Sequence, residues 1–374
     1  MRDLSCNTVR NRYELQSIVV RGRVCMPRSA RLGACRVFDL RPESHAPAGV
    51  MSDHLHAKGE WMFGYRYLTS EYRGLYQGSS SITPEQAGAA GYSMVGRSMS
   101  MDMHMLDIMY AVSDRVTLMF MPMHMSMDMT MEGTGAMPME GMHGMADDMG
   151  ADMMGGHMMG DHTMGSMTHS HGTSGWGDTN ISALIRMHGS DGHNLHLTLG
   201  ISAPTGSVDE KKPNGMFEHY GMQLGSGTWD LVPNLTYTGY RDRVSWGAQI
   251  GGTERLESAN DSGFAFGDQR FATGWLGYRI APWLSATVRL EYEYEDQLSG
   301  EYNAAYPRKS PGDDIDNYGG EFVTAGIGFN AVAQRGPLAG MRLGLEWESR
   351  VDESYNGIQL GAEDGWNLSL SYAF

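Results

Sequence analysis

Trp366-Asn367-Leu368-Ser369-Leu370-Ser371-Tyr372-Ala373-Phe374 places Trp, Leu, Leu, Tyr and Phe at even positions and Asn, Ser, Ser and Ala at odd ones. Strict alternation of this kind marks a strand with one apolar and one polar face. Leu284 to Glu295 repeats it, with Leu284, Ala286, Val288, Leu290, Tyr292 and Tyr294 opposite Ser285, Thr287, Arg289, Glu291, Glu293 and Glu295. Similar patterns recur near 60–69, 99–112, 116–131, 178–188, 195–203, 228–240, 244–256, 270–280, 321–332 and 341–350, which makes twelve strands. The connections alternate too. Short ones fall at Ser113 to Arg115, Ser190 to Asn194, Arg241 to Arg243, Ala281-Pro282 and Gln334 to Gly340. Long ones fall at 70–98, 132–175, 204–227, 257–269, 296–320 and 351–365.

Tight turns at one end and long loops at the other predict an all-β fold, a transmembrane antiparallel β-barrel of about twelve strands. Its turns would lie in the periplasm and its loops outside a Gram-negative cell. A soluble β-sandwich also alternates, but it has no need of aromatic residues at the ends of nearly every strand. Here Trp61, Trp176, Trp229, Trp246, Trp275, Trp283, Trp347 and Trp366 lie at or near such ends, the pattern of an aromatic girdle at the membrane interfaces. The expected partners are therefore the lipid bilayer and, through a terminal strand ending in Phe374, the outer-membrane assembly machinery.

Composition removes other classes. Among 374 residues no run of about 18 apolar residues occurs, so no helix is available to span a hydrocarbon core roughly 30 Å thick. The formal charge of -16 and the lack of a basic stripe argue against nucleic acid. No nucleophile elbow, Walker loop, His-Glu-x-x-His or paired Cys motif marks an enzyme. Residues 1–45 stand apart, with nine Arg, no Lys, four acids and all three cysteines, Cys6, Cys25 and Cys35. They read as an Arg-rich disordered segment or a misassigned start, and the barrel is expected over 46–374.

Three stretches resemble a known family. Gly175-Trp176-Gly177-Asp178-Thr179, Leu195 to Ser207 with its Pro204-Thr205-Gly206, and Met222-Gln223-Leu224-Gly225-Ser226-Gly227-Thr228-Trp229-Asp230-Leu231 look like the outer-membrane transporters named for the meta-pathway of phenol degradation. The resemblance runs over about 46–374 and implies an outer-membrane barrel, with little said about substrate. Gly225 and Gly227 would shape the start of a strand.

The chemistry lies in methionine. Residues 94–171 hold 24 of the 32 Met and 7 of the 14 His. In the hairpin 99–131 the even positions Leu106, Ile108, Tyr110, Val112, Val116, Leu118 and Phe120 should meet lipid. The odd ones, Met99, Met101, Met103, Met105, Asp107 and Met109, then Met119 through Met131, should face the lumen or its outer mouth. Residues 132–175 form a Met/His-rich extracellular loop of Gly-spaced repeats. Thioether is a soft ligand suited to Cu(I), and imidazole and carboxylate accept Cu(II). The candidate ligands are Met101, Met103, His104, Met105, Met119, Met121, Met123, His124, Met125, Met127, Met129, His143, His157, Met158, Met159, His162, His169 and His171. No cofactor is required; copper is the ligand expected.

The plainer readings are that Met fills an irregular core or serves as an oxidation sink. Among functions, the alternatives to copper capture, tolerance or transport are a channel for small, perhaps aromatic, solutes with the Met loop as a lid, and a passive surface metal buffer. His54 and His56 sit before the first strand, and the group His188, His193 and His196 near a periplasmic turn reads mainly as solvated turn residues, with a metal relay as the rarer alternative. The lumen also carries Arg66, Arg186, Arg289 and Arg342 with Asp107, Asp230, Glu291, Glu293, Glu346 and Glu348, charges that either a pore or a plug would use.

Overall fold

The computed structural model describes residues 40–135, 168–190 and 192–374. In chain order its strands are β1 (Trp61–Gly78), β2 (Ser80–Ile82), β3 (Met94–Ser113), β4 (Val116–Met121), β5 (Met123–Gly133), β6 (Thr168–Trp176), β7 (Thr179–Ser190), β8 (His193–Ala203), β9 (Asp230–Arg241), β10 (Val244–Arg255), β11 (Phe264–Ala265), β12 (Gln269–Ala281), β13 (Leu284–Glu295), β14 (Ser299–Gly300), β15 (Gly320–Val332) and β16 (Arg342–Ala373). Eleven of them close an antiparallel ring, β1-β16-β15-β13-β12-β10-β9-β8-β7-β4-β3, with β3 pairing back onto β1. β16 crosses twice. Residues 342–355 pair with β15 and residues 355–373 with β1, so Arg342 and Ala373 both sit at the turn end beside Val332 and Met62. The ring therefore has twelve crossings, the number the alternation predicts. Phe374 completes the seam, its backbone exchanging both hydrogen bonds with Trp61 at 2.8 and 3.0 Å.

The faces follow the parity of the sequence. Val288, Leu290, Leu118, Phe120, Ile327 and Phe329 are exposed on the outside, while Ser285, Thr287, Arg289 and Glu346 are buried inside. An apolar outer belt with a polar interior places the barrel in an outer membrane. Trp275 departs from the girdle. It points inward at 5% exposure and packs on Ala46 and Val50. Gly247 makes its room, since a Cβ there would lie 2.1 Å from the indole.

Several expected loops are strands. β1 and β3 run past the membrane to Gly78 and from Met94, and β16 continues through 351–365. Above the bilayer both faces meet water, so the ladder persists while the alternation that announces it fades; Glu71, Arg73, Glu363 and Asp364 there are all exposed. At Pro122, which has no N–H to give the ladder, the hairpin divides into β4, which pairs with β7, and β5, which pairs with β6.

The lower lumen is filled by chain. Leu40 to Leu55 enter from the turn end, with a 3-10 turn at Pro42–Ser44, and Leu40, Ala46, Ala48 and Val50 are buried. Residues 40–45, which precede the expected boundary at 46, thus take part in this plug. Barrel side chains hold this plug by its backbone: Arg66 donates to the carbonyls of Ala48 and Val50 at 2.8 and 3.0 Å. Asn330 bonds His45 and Ala46, Gln249 bonds Met51, and His196 bonds Ser52. The Gly49 amide donates to Glu346 at 2.6 Å. A side chain at Gly49 would meet Arg289 at 2.7 Å. Glu43 pairs with Arg279. Several lumen charges thus serve a plug, and Arg289, beside Gly49 at its upper end, stands among Glu291, Glu346 and Glu348.

Candidate functional site in the barrel lumen

Above the plug lies a cavity of about 850 Å³. One wall is methionine. Register places Met99 opposite Met129, Met101 opposite Met127, Met103 opposite Met125 and Met105 opposite Met123, four consecutive pairs on one face. β1 extends the rows with Tyr72, Ser70, Leu68 and Arg66, and β6 with His171 beside Met129 and Thr173 beside Met127. Met121 also lines the cavity, and the plug's Met51 forms part of its floor. Met127 and Met131 are buried, while Met99, Met101, Met103, Met121, Met123, Met125 and Met129 are only half-buried. Thioethers at the cavity surface thus stand on a packed row. The opposite wall carries Glu293, Glu295, Glu348 and Arg350.

The expected ligands divide by position. Met101, Met103, Met105, Met121, Met123, Met125, Met127 and Met129 come together around the cavity. Met119 faces inward but lies lower, in a buried cluster with Met62, Met109 and Leu184. His104 and His124 are separated from the wall. Even-numbered in a strand whose odd residues face in, they sit outside, opposite each other, where His104 bonds Tyr65 Oη at 2.7 Å and His124 meets Trp176 edge to face. His169 is exposed and stacks on His171, whose Nδ1 lies 2.6 Å from Glu218. His143, His157, Met158, Met159 and His162 lie outside the described residues. The group His188, His193 and His196 does not converge: His193 bonds Tyr237 outside, while His196 is buried against the plug.

Sequence reasoning passed over two participants. Met222 is fully buried against Met127 and packs with Met101, Met125 and Met129; it lies within a quoted family motif but in a loop, where no period points inward. Met51 arrives on the plug, whose route no pattern announces.

The cavity roof is built from the loops. Phe217, Tyr220, Phe264, Leu298 and Tyr302 form a buried aromatic cap, with Phe217 stacked on Tyr302 at 4.2 Å. Asp313 pins it, accepting from the Ser310 and Lys309 amides, Tyr306 and His219. Burial works against the charged form of Asp313, but these bonds, His219 first, outweigh it and hold the carboxyl down to about 2. Burial holds His219 below the ordinary imidazole range. Its Nδ1–H therefore donates to Asp313, and Nε2 faces Lys212 Nζ at 3.4 Å.

The motifs that suggested a family meet at one carboxylate. Asp178 accepts from the Gly206 amide at 2.9 Å and from the Ser226 amide and hydroxyl at 2.7 and 2.8 Å. Ser226 passes on to Asp230, which also holds Thr228 and Arg255. These bonds fasten the loop that carries Met222 to the barrel rim, and Gly225 and Gly227 allow the close approach.

With 13% identity and a TM-score of 0.53, the COG4313 outer membrane channel from Pseudomonas putida F1 is similar over 87% of this chain and 99% of that one. The KdgM porin (8% identity, 82% and 99% covered, TM-score 0.35) and a Pseudomonas aeruginosa FadL homologue (9%, 84% and 89%, TM-score 0.35) are also matched. No curated protein matches the chain. The family described as "Putative MetA-pathway of phenol degradation" matches residues 142–334, a span that contains Asp178 and the partners gathered around it, and the chain belongs to that family.

Proposed function

We propose that this barrel is an outer-membrane channel whose upper lumen captures and passes a soft metal ion, copper(I) foremost, along its methionine wall. The observation that carries this reading is the set of four consecutive cross-strand methionine pairs aimed into the 850 Å³ cavity. Thioether sulfur is neutral and soft and does not titrate, so it suits Cu(I) and binds it without releasing a proton. Methionine used only as packing fills irregular gaps and needs no such rows. The acid-rich wall opposite raises the local concentration of cations. His169 and His171 continue the line, and the imidazoles of His143, His157 and His162, outside the described residues, would take Cu(II).

A second reading has its own support. The cavity falls within the roughly 300–1,000 Å³ of small-molecule sites, and its methionine wall would also receive a small apolar solute. Titration with Cu(I), held reduced by a competing chelator, separates the two. The full chain should bind several equivalents, and a variant with Met101, Met103, Met125 and Met127 changed to Leu should lose those that a variant lacking 136–167 retains. If the Leu variant binds as much as the parent, the wall is packing and the solute channel takes its place.

A further inference from the structure

On the periplasmic side of the plug a second pocket of about 300 Å³ opens toward the turns, apart from the methionine cavity. The plug folds back there through Ser52, at φ 55°, and the Ala46 amide donates to Asp53 Oδ2 at 2.9 Å. This return brings His45 against residues that follow it by eight to eleven positions. The His45 and His54 rings lie 4.1 Å apart between centroids, and those of His54 and His56 lie 4.8 Å apart. One nitrogen of His45, one of His54 and a carboxylate oxygen of Asp53 fall within 4.8 Å of one another. Tetrahedral ligands at about 2.0–2.1 Å from a metal stand roughly 3.3 Å apart, so a rotation of the half-buried His45 and His54 side chains would close the set.

Two further observations point to a ligand. His54 Nε2 and His56 Nε2 are buried and have no hydrogen-bond partner in the protein, a state that native interiors rarely leave unanswered. The other nitrogen of His54, Nδ1, lies 2.7 Å from Asp53 Oδ1. A carboxylate that accepts a hydrogen bond from Nδ1–H fixes the tautomer and leaves Nε2 with its lone pair free, the arrangement that surrounds metal-bound imidazoles.

We propose that His45, Asp53, His54 and His56 form a binding site for one divalent borderline transition ion, copper(II) or zinc, on the periplasmic face of the plug. Imidazole with carboxylate selects such ions over Cu(I), which the thioethers above would favour. The site shares no ligand with the methionine wall, and its existence does not depend on that wall binding metal.

The test uses the full chain folded in detergent, a variant lacking 136–167, and each of these with His45→Gln and His54→Gln together. Zn(II) and Cu(II) salts are titrated against a chromophoric chelator, and Cu(II) samples are examined by electron paramagnetic resonance for nitrogen hyperfine structure. One equivalent should remain after 136–167 is removed, with coupling to at least two nitrogens. The double histidine change should then weaken it roughly tenfold or more. Retention of barrel mobility on unheated gels shows that each variant is folded; if the double variant does not fold, His56→Gln and Asp53→Asn singly are read the same way. Met101 and Met103 changed to Leu should leave this equivalent in place. The proposal is overturned if the chain lacking 136–167 binds neither ion, or if the histidine and aspartate variants bind as the parent does.

Discussion

Below Asp107 the lumen is occupied by the chain's own plug, whose backbone is held by the inward Arg66, Gln249, Asn330 and Glu346 of β1, β10, β15 and β16. Above Asp107 the same β1, with β3 and β5, presents thioethers and a few hydroxyls to an open cavity. One half uses charged and amide groups, which need partners once buried. The methionine wall of the other uses atoms that can be left unpartnered at little cost, since thioether sulfur is only a weak acceptor. A side chain that can wait without a partner is available to a passing ligand. The comparison is broken most directly by removing the plug. Deletion of 41–53 should leave a folded barrel and raise single-channel conductance in planar bilayers severalfold. An unchanged conductance would place the barrier in the aromatic cap instead.

Arg66 is the next largest lever because it stands at the boundary. It donates to two plug carbonyls and, through Nε, to Asp107 at 2.7 Å. Arg66→Ala leaves Asp107, 4% exposed, as a buried charge without that partner, a loss of about 3–5 kcal/mol. Unfolding in urea should show a lower midpoint, with an extrapolated unfolding free energy smaller by that amount. Asp107→Asn combined with Arg66→Ala should recover part of it, and absence of recovery would show that the plug carbonyls, rather than the carboxylate, need the guanidinium.

How much could be read beforehand also divides at Asp107. Leu284 to Glu295 alternates without error because lipid and lumen impose a period of two, and the methionine wall was legible for the same reason. The plug was not. Residues 40–56 lie in no ladder, and they are gripped through carbonyls and amides that every sequence has. Their imprint is the inward Gln249, Asn330 and Asn367, but an inward amide looks the same whether water or chain will meet it. Trp275 was misassigned to the girdle because nearness to a strand end was weighed above parity. Parity would also have set His104 and His124 apart from Met103 and Met125.

The cap supplies a smaller effect with a defined pH course. Asp313 has its carboxyl lowered from 3.8 to about 2, so its contribution is complete above 3.8 and lost as pH falls toward 2, about 2 kcal/mol in all. His219, held below the ordinary imidazole value of 6.5, costs stability as soon as acid drives a proton onto it, so both groups weaken the cap in the same direction. Limited proteolysis of the 296–319 loop should therefore be slowest above pH 6.5, and it should quicken on acidification with a last step between 3.8 and 2. Asp313→Asn should abolish that last step, and His219→Gln should flatten the earlier part. A profile that is flat in both variants and parent would detach the cap from this pair.

The smallest expected effect bears most on the methionine wall. Leu and Met have nearly the same volume, and exchange between them in a packed core generally costs under about 1.5 kcal/mol. Met101, Met103 and Met125 are half-buried beside the cavity, so their change to Leu should move the unfolding midpoint less than a like change at Met127, which packs fully on Met222. If the cavity-facing changes are nearly neutral for stability, packing does not require sulfur there, and the rows call for a role that only a thioether can fill. If they cost as much as Met127→Leu, the wall is core throughout, and the upper lumen differs from the lower in what fills it rather than in what it is open to receive.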